Sequence, residues 1–215
     1  MARIARPAEP VAVGVFARAP VPGEAKTRLV PVLGEDAAAE LHGLLVRRAL
    51  ATAKESGVGE VILWCSPDAG HPFFARCAAD FGVALRAQSG GHLGERMASA
   101  LADMLGANRR ALLIGSDCPA LKADDLREAA RSLATHEAVL QPAEDGGYVM
   151  VGLSQAAPSL FEGIRWGEAS VMKDTRSRLR TAKLRWRELP MRWDVDRPED
   201  YRRLVETGLL AEGMP

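Results

Sequence analysis

The sequence has few cysteines and no excess of charge of either sign. It contains 3 cysteines and no CxxC pair, which argues against a disulfide framework and against a structural zinc site and favours a reducing cytoplasm. Lys and Arg number 28, as do Asp and Glu, so no overall basic field favours nucleic acid or a membrane surface as a partner. Any anion-binding site must therefore be local.

Long apolar runs are also missing. No stretch reaches the roughly 18 apolar residues that indicate a membrane span. The first ten residues, MARIARPAEP, carry charges and two prolines but no apolar core of a signal peptide. We expect residues 1–10 to be a flexible N-terminal tail and residues 11–215 to form one domain, a length ample for a hydrophobic core.

The stretch Ala111–Leu121, ALLIGSDCPAL, contains the clearest buried strand. Ala111–Gly115 carries no charge, which is typical of a strand buried on both faces of a parallel sheet. A turn follows at once, so Asp117 lies at the carboxyl end of the strand, where ligands bind in open α/β sheets. A carboxylate there can hold a hard divalent cation, and the cation can hold phosphates. The alternative is that Asp117 only caps the turn or the helix predicted near Ala123.

A loop rich in proline and cations follows the first predicted strand. Residues 17–31, ARAPVPGEAKTRLVP, contain three prolines and a glycine, which disfavour regular structure over most of the loop. Arg18, Lys26 and Arg28 lie in it, and convergent cations in such a loop can receive phosphates. The alternative is a solvated loop that is merely basic.

Strands and helices alternate along the rest of the chain, which predicts a mostly parallel sheet with helices on both faces. Residues 143–147, AEDGG, lie between two apolar runs and predict a hairpin turn. A functional alternative is that its glycines clear space for a sugar or phosphate that Asp145 reaches. Further strands are predicted at 11–16, 60–65, 83–88, 138–142, 148–153 and within 185–195; helices are predicted at 35–55, 71–81, from about 93, 124–133, 168–179 and from Pro198 to Gly208.

Several segments together resemble the DUF2064 family, which is assigned to the glycosyltransferases. They are FARAPVPGEAKTRL, HLGERM, GSDCPAL, PAEDGGYVMVGL, the Trp166-Gly167 pair and DVDRPED, and they span about residues 11 to 207 in the family's order. The first segment is also similar to phospholactate guanylyltransferases, and KTRL to a loop of CMP-Kdo synthetases. The resemblance implies a three-layer α/β/α GT-A-like nucleotide-diphospho-sugar transferase fold with a mixed, mostly parallel sheet. It also implies Mg²⁺ or Mn²⁺ and a nucleotide-bound substrate.

The same resemblance assigns site residues position by position. Asp194 and Asp196 would share one face if they lie in a strand, so both could point at one ion. Asp196 has an alternative role as the N-cap of the last helix, and Trp166 has one in core packing. The resemblance places the nucleotide phosphates at Arg18, Lys26 and Arg28 and metal binding at Asp117 and Asp196, with Asp194 two residues before. We further expect nucleotide binding at Ala17, Gly23, Gln88 and Gly91, catalysis at Asp117 and Asp145, and substrate binding at Gly146, Gly147 and Trp166.

Two positions depart from the family pattern. His92 replaces the usual aspartate before LGERM, and Lys122 stands where a Ser or Thr cap is expected. Among the other histidines, we expect His42 and His136 at the surface, and His71, like His92, in a loop or at a helix cap.

Three functions are compatible with these patterns. The first is a metal-dependent glycosyltransferase using a nucleotide-sugar donor, and the second is a nucleotidylyltransferase that releases pyrophosphate. The third is a non-catalytic nucleotide-binding relative, which the retained acids Asp117, Asp194 and Asp196 disfavour. The expected partners are a nucleotide or nucleotide sugar and a small-molecule acceptor, with no nucleic acid and no membrane span. A homodimer is left open, and the expected location is the cytoplasm.

Overall fold

Seven strands form a single mixed sheet in the computed structural model, which describes residues 11–108 and 110–209. The strands are β1 (Val11–Arg18), β2 (Gly59–Ser66), β3 (Ala84–Ala87), β4 (Arg110–Gly115), β5 (Ala138–Pro142), β6 (Tyr148–Leu153) and β7 (Trp186–Glu188). Their order across the sheet is β3-β2-β1-β4-β6-β5-β7. Only β6 runs antiparallel to its neighbours, β4 and β5, so the mixed, mostly parallel sheet is confirmed. The predicted tail 1–10 lies outside the described residues, and the domain boundary at residue 11 stays a prediction.

The described residues form seven α-helices, of which the first six lie between strands and the seventh follows the last strand. They are α1 (Val30–Leu33), α2 (Glu35–Ser56), α3 (Pro72–Phe81), α4 (Leu93–Ala107), α5 (Ala123–Ser132), α6 (Val171–Thr181) and α7 (Pro198–Thr207). Short 3₁₀ helices lie at Thr27–Leu29 and Pro158–Phe161. The irregular loop predicted to reach residue 31 therefore ends earlier, because Pro31 is accommodated in the first turn of α1, where a backbone N–H is not needed.

The helices cover both faces of the sheet, which confirms the three-layer arrangement. Alternate residues of β1 point to opposite sides, so Val13 belongs to one core cluster and Ala12 to the other. The first cluster packs side chains of α2, α3 and α5 against the sheet, and the second packs those of α4 and α6. None of the helices at 11–108 and 110–209 has the length and hydropathy of a membrane span.

A third cluster fixes the segment after β7. Trp193 and Val195 pack with Leu41 and Leu45 of α2 and with Leu204 of α7. This packing brings the segment 193–196 back to the carboxyl end of the sheet. Residues 194–196 have no regular secondary structure, so the strand expected to align Asp194 and Asp196 is absent there.

The predicted hairpin turn is confirmed at residues 143–147. The Ala143 N–H donates to the Gly147 carbonyl at 3.0 Å, and β5 and β6 continue as an antiparallel pair. Gly146 has φ 92°, and a Cβ there would lie 2.3 Å from the Ala169 carbonyl oxygen. A glycine is therefore required at this position both by its backbone conformation and by the close approach of the 169 backbone.

Candidate functional site

Three parallel strands end at the same edge of the sheet, and the predicted residues lie beyond those ends. β1 ends at Arg18, β2 at Ser66 and β4 at Gly115, two residues before Asp117. The Val195 N–H donates to the Asp117 carbonyl at 2.8 Å, so the segment after β7 is tied directly to the end of β4. Residues distant in sequence therefore meet around Asp117.

The carboxylate of Asp117 forms an ion pair with Lys26. The Lys26 ammonium lies 2.7 Å from Asp117 Oδ1 and donates to the Val195 carbonyl at 2.5 Å. Only 4% of the Lys26 side chain is exposed, against 46% for Asp117. Burial raises the pKa of Asp117, but Lys26 and His42 more than offset it and hold that pKa well below its usual range. The carboxylate is therefore ionised, and within residues 11–108 and 110–209 its contacts with Lys26, His42 and Ser116 are all made by Oδ1.

His42 was expected at the surface, and that expectation is wrong. The residue is 5% exposed, its Nε2 lies 3.0 Å from the Arg18 carbonyl, and its Nδ1 lies 3.7 Å from Asp117 Oδ1. The Arg18 carbonyl can only accept, so Nε2 carries the hydrogen in this contact. The first and third core clusters cover two sides of helix α2, so packing on one side does not account for all of its buried surface. His42 lies within this buried surface.

Asp194 lies close enough to both Asp117 and Asp145 to feel their charges. Burial, with the negative charges of Asp145 and Asp117, raises the pKa of Asp194 to about 6. Asp145 accepts a 2.8 Å hydrogen bond from the Gly147 N–H and is otherwise exposed. The region around Asp194 is thus short of positive charge.

Asp196 is paired with Arg28, and it does not cap the last helix. The two side chains form an ion pair at the surface, and 61% of the Arg28 side chain is exposed. The carboxylate of Asp200 instead accepts hydrogen bonds from the Asp196 and Arg197 N–H groups, at 3.1 and 2.8 Å. Because Arg197 is the N-cap residue of α7 and the Asp196 side chain pairs with Arg28, the predicted N-cap role of Asp196 is wrong.

The loop before α4 is held by two residues of that helix. Glu95 accepts from the Gly91 N–H at 2.7 Å, and Arg96 donates to the Gly90 and Gly91 carbonyls at 3.2 and 3.1 Å. His92 is the N-cap of α4, accepting from the Glu95 N–H at 3.3 Å, as expected of a cap residue. Gln88, just before this loop, donates from Nε2 to the Ala17 and Trp64 carbonyls and links β1 with β2.

The indole of Trp166 is both packed and accessible. It stacks on Phe161 at a centroid distance of 6.4 Å and meets Tyr148 edge-on at 6.2 Å. A Cβ at Gly94 would lie 2.5 Å from its Nε1, so a glycine in α4 makes room for the ring. Both proposed roles of Trp166, core packing and a cavity wall, are compatible with this position.

Three adjoining cavities follow this edge of the sheet. The β1 cavity, of about 310 Å³, is lined by Ala17, Arg18, Gln88 and Asp117, together with His42, Ser66 and Arg96. The Trp166 cavity, of about 190 Å³, is lined by Asp145, Gly147, Trp166 and Asp194 among others. The Asp196 cavity, of about 400 Å³, is lined by Arg28, Asp145, Asp194 and Asp196 among others.

Not every predicted residue lines these cavities. Gly23 lies in the turn after β1 with φ 75°, Gly91 and Gly146 contribute backbone beside the cavities, and Lys26 lies beneath Asp117. A larger cavity of about 650 Å³ lies around Arg110 and Ser154, at the amino end of β4, and contains none of the predicted residues. The predicted residues therefore cluster along one edge of the sheet.

The carboxylates of Asp117 and Asp194 suit only a cation that prefers oxygen ligands. The described residues contain no group of three His, Cys, Asp or Glu side chains already arranged to hold a metal ion. Asp117 offers a free Oδ2, and Asp194 has its pKa raised by burial and by neighbouring negative charge. Mg²⁺ and Mn²⁺ suit such a site, because Mg²⁺ commonly binds through one or two carboxylates, several waters and substrate phosphates, and Mn²⁺ shares this preference for oxygen ligands.

Sequence reasoning missed three side chains of the β1 cavity. His42, Ser66 and Arg96 all line it, and the Arg96 guanidinium lies 3.4 Å from the Ser66 hydroxyl. Arg96 lies within the HLGERM segment, so the family resemblance offered a signal for it. Ser66 and His42 reach the cavity only through tertiary packing.

Comparison with known proteins gives a consistent picture. The profile of the DUF2064 family, described as an uncharacterized protein conserved in bacteria, matches residues 49–168. A structure from Desulfovibrio desulfuricans G20, assigned as a nucleotide-diphospho-sugar transferase, is 33% identical over 92% of this chain and 87% of its own, with a TM-score of 0.84. No curated protein matches the sequence.

Two more distant structures share the fold. Rv0371c of Mycobacterium tuberculosis H37Rv, in complex with manganese, is 18% identical over 93% of this chain and 99% of its own, with a TM-score of 0.56. The inositol-1-phosphate CTP transferase of T. maritima is 14% identical over 97% and 98%, with a TM-score of 0.61. At these identities the likeness supports the nucleotide-diphospho-sugar transferase fold alone.

Proposed function

The chain belongs to the DUF2064 family, and from that premise we propose that it is a metal-dependent glycosyltransferase that uses a nucleotide-sugar donor. The relatives of its fold support the broader class, a transferase acting on nucleotide-linked substrates. One observation carries the proposal. The ionised carboxylate of Asp117 lines the β1 cavity, and Asp194, which feels the Asp117 charge, lines the two further cavities, which would take a sugar and an acceptor.

The β1 cavity would hold the nucleotide. Gln88 donates to the Ala17 and Trp64 carbonyls, so its side chain is already held in the cavity wall before a ligand binds. Arg18 and Arg28 would bind the phosphates, since both are exposed and a guanidinium can bind two oxygens at once. Lys26 would bind a phosphate only if its ammonium left Asp117 Oδ1. While the ion pair is intact, the lysine acts on the site only by pairing with the Asp117 carboxylate.

Asp117, Asp194 and Asp196 are the residues that would hold Mg²⁺ or Mn²⁺. A bound divalent cation supplies charge that offsets the negative charge growing on the diphosphate leaving group. Asp196 can join only if its ion pair with Arg28 opens, and Arg28 is then free for a phosphate. Opening this one ion pair would therefore allow both metal binding by Asp196 and phosphate binding by Arg28.

The Trp166 cavity would hold the reacting sugar and the acceptor. The indole offers a flat apolar face to a sugar ring, and Gly147, which lines the cavity, allows its close approach; Gly146 does not, because the backbone of Ala169 fills the space beside it. In the reaction, the bond between the anomeric carbon and the diphosphate oxygen breaks, and the nucleoside diphosphate leaves with the electron pair. The acceptor oxygen bonds to the anomeric carbon and gives its proton to Asp145, whose carboxylate is exposed beside this cavity.

A nucleotidylyltransferase is the second candidate. The cationic loop after β1 favours it, because such a loop could stabilise pyrophosphate leaving from an NTP, and a CTP transferase shares the fold. The two reactions break different bonds, one at the anomeric carbon and one at the α-phosphorus. The phosphate product therefore identifies the reaction.

The deciding experiment supplies Mg²⁺ or Mn²⁺ with a panel of NTPs, nucleotide sugars and candidate acceptors, and follows the products by ³¹P NMR. Release of a nucleoside diphosphate from a nucleotide sugar, dependent on the cation and absent from Asp117→Asn, is expected. Pyrophosphate from an NTP, with no turnover of any nucleotide sugar, would instead establish the second candidate. We also propose a cytoplasmic protein and leave the homodimer to a sedimentation measurement.

A further inference from the structure

An ion pair between Arg192 and Asp125 joins the segment after β7 to the start of α5. Arg192 donates to both oxygens of the carboxylate, from Nε to Asp125 Oδ2 at 3.0 Å and from Nη2 to Oδ1 at 2.7 Å. The arginine side chain is 24% exposed and the aspartate side chain 10%. Two parallel hydrogen bonds to a largely buried carboxylate fix the orientation of both side chains. The pair is therefore a rigid link between distant parts of the chain.

The backbone of Arg192 is held as well. Its N–H donates to the Pro142 carbonyl at 2.9 Å, and its carbonyl accepts from the Glu144 N–H at 3.0 Å. These bonds form a parallel bridge to the turn between β5 and β6. Asp145 follows Glu144 directly, and Asp194 lies two residues after Arg192. The position of Arg192 therefore determines how the backbones that carry Asp145 and Asp194 lie relative to each other.

The Asp125 end of the pair leads to Asp117. Asp125 Oδ2 also accepts from the Lys122 N–H at 2.9 Å and so holds the residue that precedes α5. Between Asp117 and Lys122, the side chains of Cys118 and Leu121 are buried in the first core cluster. The end of β4, the turn after β5 and the segment after β7 are thus joined through one ion pair.

These three segments bring carboxylates of like charge together. Asp145 and Asp194 line the same two cavities, and the residue after Asp194 bonds to the Asp117 carbonyl. Like charges repel, so while no cation is bound the segments must be held in place by contacts outside the carboxylates themselves. Arg192 lines none of the three cavities of the candidate site. It therefore acts on the site through the backbone, without contacting a ligand.

We propose that Arg192 is a positioning residue, and that its pair with Asp125 keeps Asp194 beside Asp117, where the two carboxylates can share a cation. The same pair keeps Asp145 at the cavities that Asp194 lines. This role rests on the proposed metal-dependent function, because that function assigns the cation to Asp117 and Asp194. Cation binding then depends on the geometry of the pair and not only on its charge.

Arg192→Lys separates geometry from charge. Lysine keeps the positive charge, but its ammonium cannot make two parallel hydrogen bonds to one carboxylate in the planar geometry of a guanidinium. A matched pair lies elsewhere in the fold, where Arg176 of α6 donates to both oxygens of Glu188 in β7, at 2.9 and 2.7 Å. Its side chains are 36% and 29% exposed, and neither lines the three cavities. Arg176→Lys therefore removes the same kind of contact away from the site.

The test measures Mn²⁺ binding to the full chain by electron paramagnetic resonance, with Mn²⁺ alone and with Mn²⁺ plus inorganic pyrophosphate. Thermal unfolding of each variant is recorded alongside, and binding is measured well below the lowest unfolding midpoint. Residues that orient metal ligands typically contribute 10- to 100-fold to metal affinity, and we expect Arg192→Lys to bind Mn²⁺ about 10-fold more weakly than the wild type. Arg176→Lys should bind Mn²⁺ like the wild type.

A substitution of the partner tests whether the two residues act together. Asp125→Asn removes the charge that Arg192 binds and should weaken Mn²⁺ binding to a similar extent, which also provides a second variant. Groups in direct contact are not additive, so Arg192→Lys combined with Asp125→Asn should bind no more weakly than the weaker of the single variants. Losses that multiply in the double variant would overturn the role of the pair.

The single variants separate the remaining alternatives. Equal Mn²⁺ affinity in the wild type and Arg192→Lys would overturn the positioning role while leaving the metal-dependent function intact. Equal losses in Arg192→Lys and Arg176→Lys would also overturn it, because the losses would then follow from general destabilisation. Absence of Mn²⁺ binding by the wild type, with and without pyrophosphate, would overturn the metal-dependent function itself, together with this role of Arg192.

Discussion

The Lys26 ammonium lies 2.7 Å from Asp117 Oδ1, at the bottom of the site, with almost all of the lysine side chain buried. The pair neutralises a carboxylate that burial would otherwise disfavour, and it joins the loop after β1 to the end of β4. The same lysine donates to the Val195 carbonyl, so one ammonium links three segments of the chain. Lys26 thus supports the site whether or not it also binds a phosphate.

Replacing Lys26 by methionine should destabilise the protein. The substitution keeps the length of the side chain but leaves Asp117 and the Val195 carbonyl without their buried partner. Breaking a fully buried ion pair costs about 3–5 kcal/mol; because 46% of the Asp117 side chain is exposed, we expect about 1–2 kcal/mol. Urea unfolding measures the loss, and Lys54→Met near the end of α2 is a control. Unchanged stability would show that the pair contributes nothing.

Asp117→Asn should remove activity while leaving the fold intact. The residue lies at a strand end, and an amide of the same size fits there, but it cannot offset the charge of a cation. We expect kcat to fall by about 10²-fold or more, the range typical of a lost electrostatic stabiliser. Circular dichroism checks the fold, and turnover of the substrate found in the product assay checks the activity. Metal-dependent activity equal to that of the wild type would remove Asp117 from the site.

Arg28→Lys should weaken nucleotide binding although it conserves the charge. An ammonium cannot bind two phosphate oxygens in the planar geometry of a guanidinium. Isothermal titration calorimetry with the donor nucleotide and Mg²⁺ should give several-fold weaker binding. Arg131→Lys, on the exposed surface of α5, provides the matched control. If Arg28→Ala bound as tightly as the wild type, the residue would serve only its ion pair with Asp196.

The raised pKa of Asp194 predicts a pH dependence of stability. An unfolded aspartate titrates near pH 3.9, and in the fold Asp194 titrates at about 6. The folded state therefore binds this proton more tightly, and the stability it contributes is present below about pH 4 and is lost as the pH rises through 6. Asp194→Asn should match the wild type near pH 4 and become relatively more stable above pH 6.

Urea unfolding at several pH values, with EDTA present, measures that difference. Asp124→Asn at an exposed position of α5 is the control. A difference between Asp194→Asn and the wild type that stays constant from pH 4 to 7 would contradict the assignment. The comparison uses the apoprotein, so it does not depend on the identity of the substrate.

The sheet could be predicted well because its strands are short apolar runs bounded by turn residues. β5 and β6 lie where the pattern placed them, and the Asp145-Gly146-Gly147 turn between them has a local cause in its glycines. Local rules failed where a contact comes from far along the chain. The apolar stripe of α2 gave no sign that a second layer, formed by Trp193 and Val195, would bury its other side.

The site was predicted as a set of residues but not as a network. Asp117 was located by its position after a buried strand. Its pairing with Lys26 was not predicted, because it depends on the left-handed backbone conformation of Lys26, φ 51°, which no local pattern indicates. The role given to Asp196 at the last helix was wrong because Arg197, one residue later, is the N-cap, and the Asp196 side chain pairs with Arg28 instead. That pair joins positions 168 residues apart, so no local pattern indicates it.

The hydrogen bond from Lys26 to the Val195 carbonyl spans 169 positions of the sequence. During synthesis, β1 to β4 can pair long before the segment around Val195 has been made, because all four strands precede that segment in the chain. The nascent chain then has a sheet whose edge near Asp117 still lacks the segment that carries Asp194 and Asp196. Catalytic competence should therefore appear abruptly and late in translation, when Asp194 and Asp196 arrive, and an incomplete chain ending before residue 193 should be folded in part but unable to bind the cation.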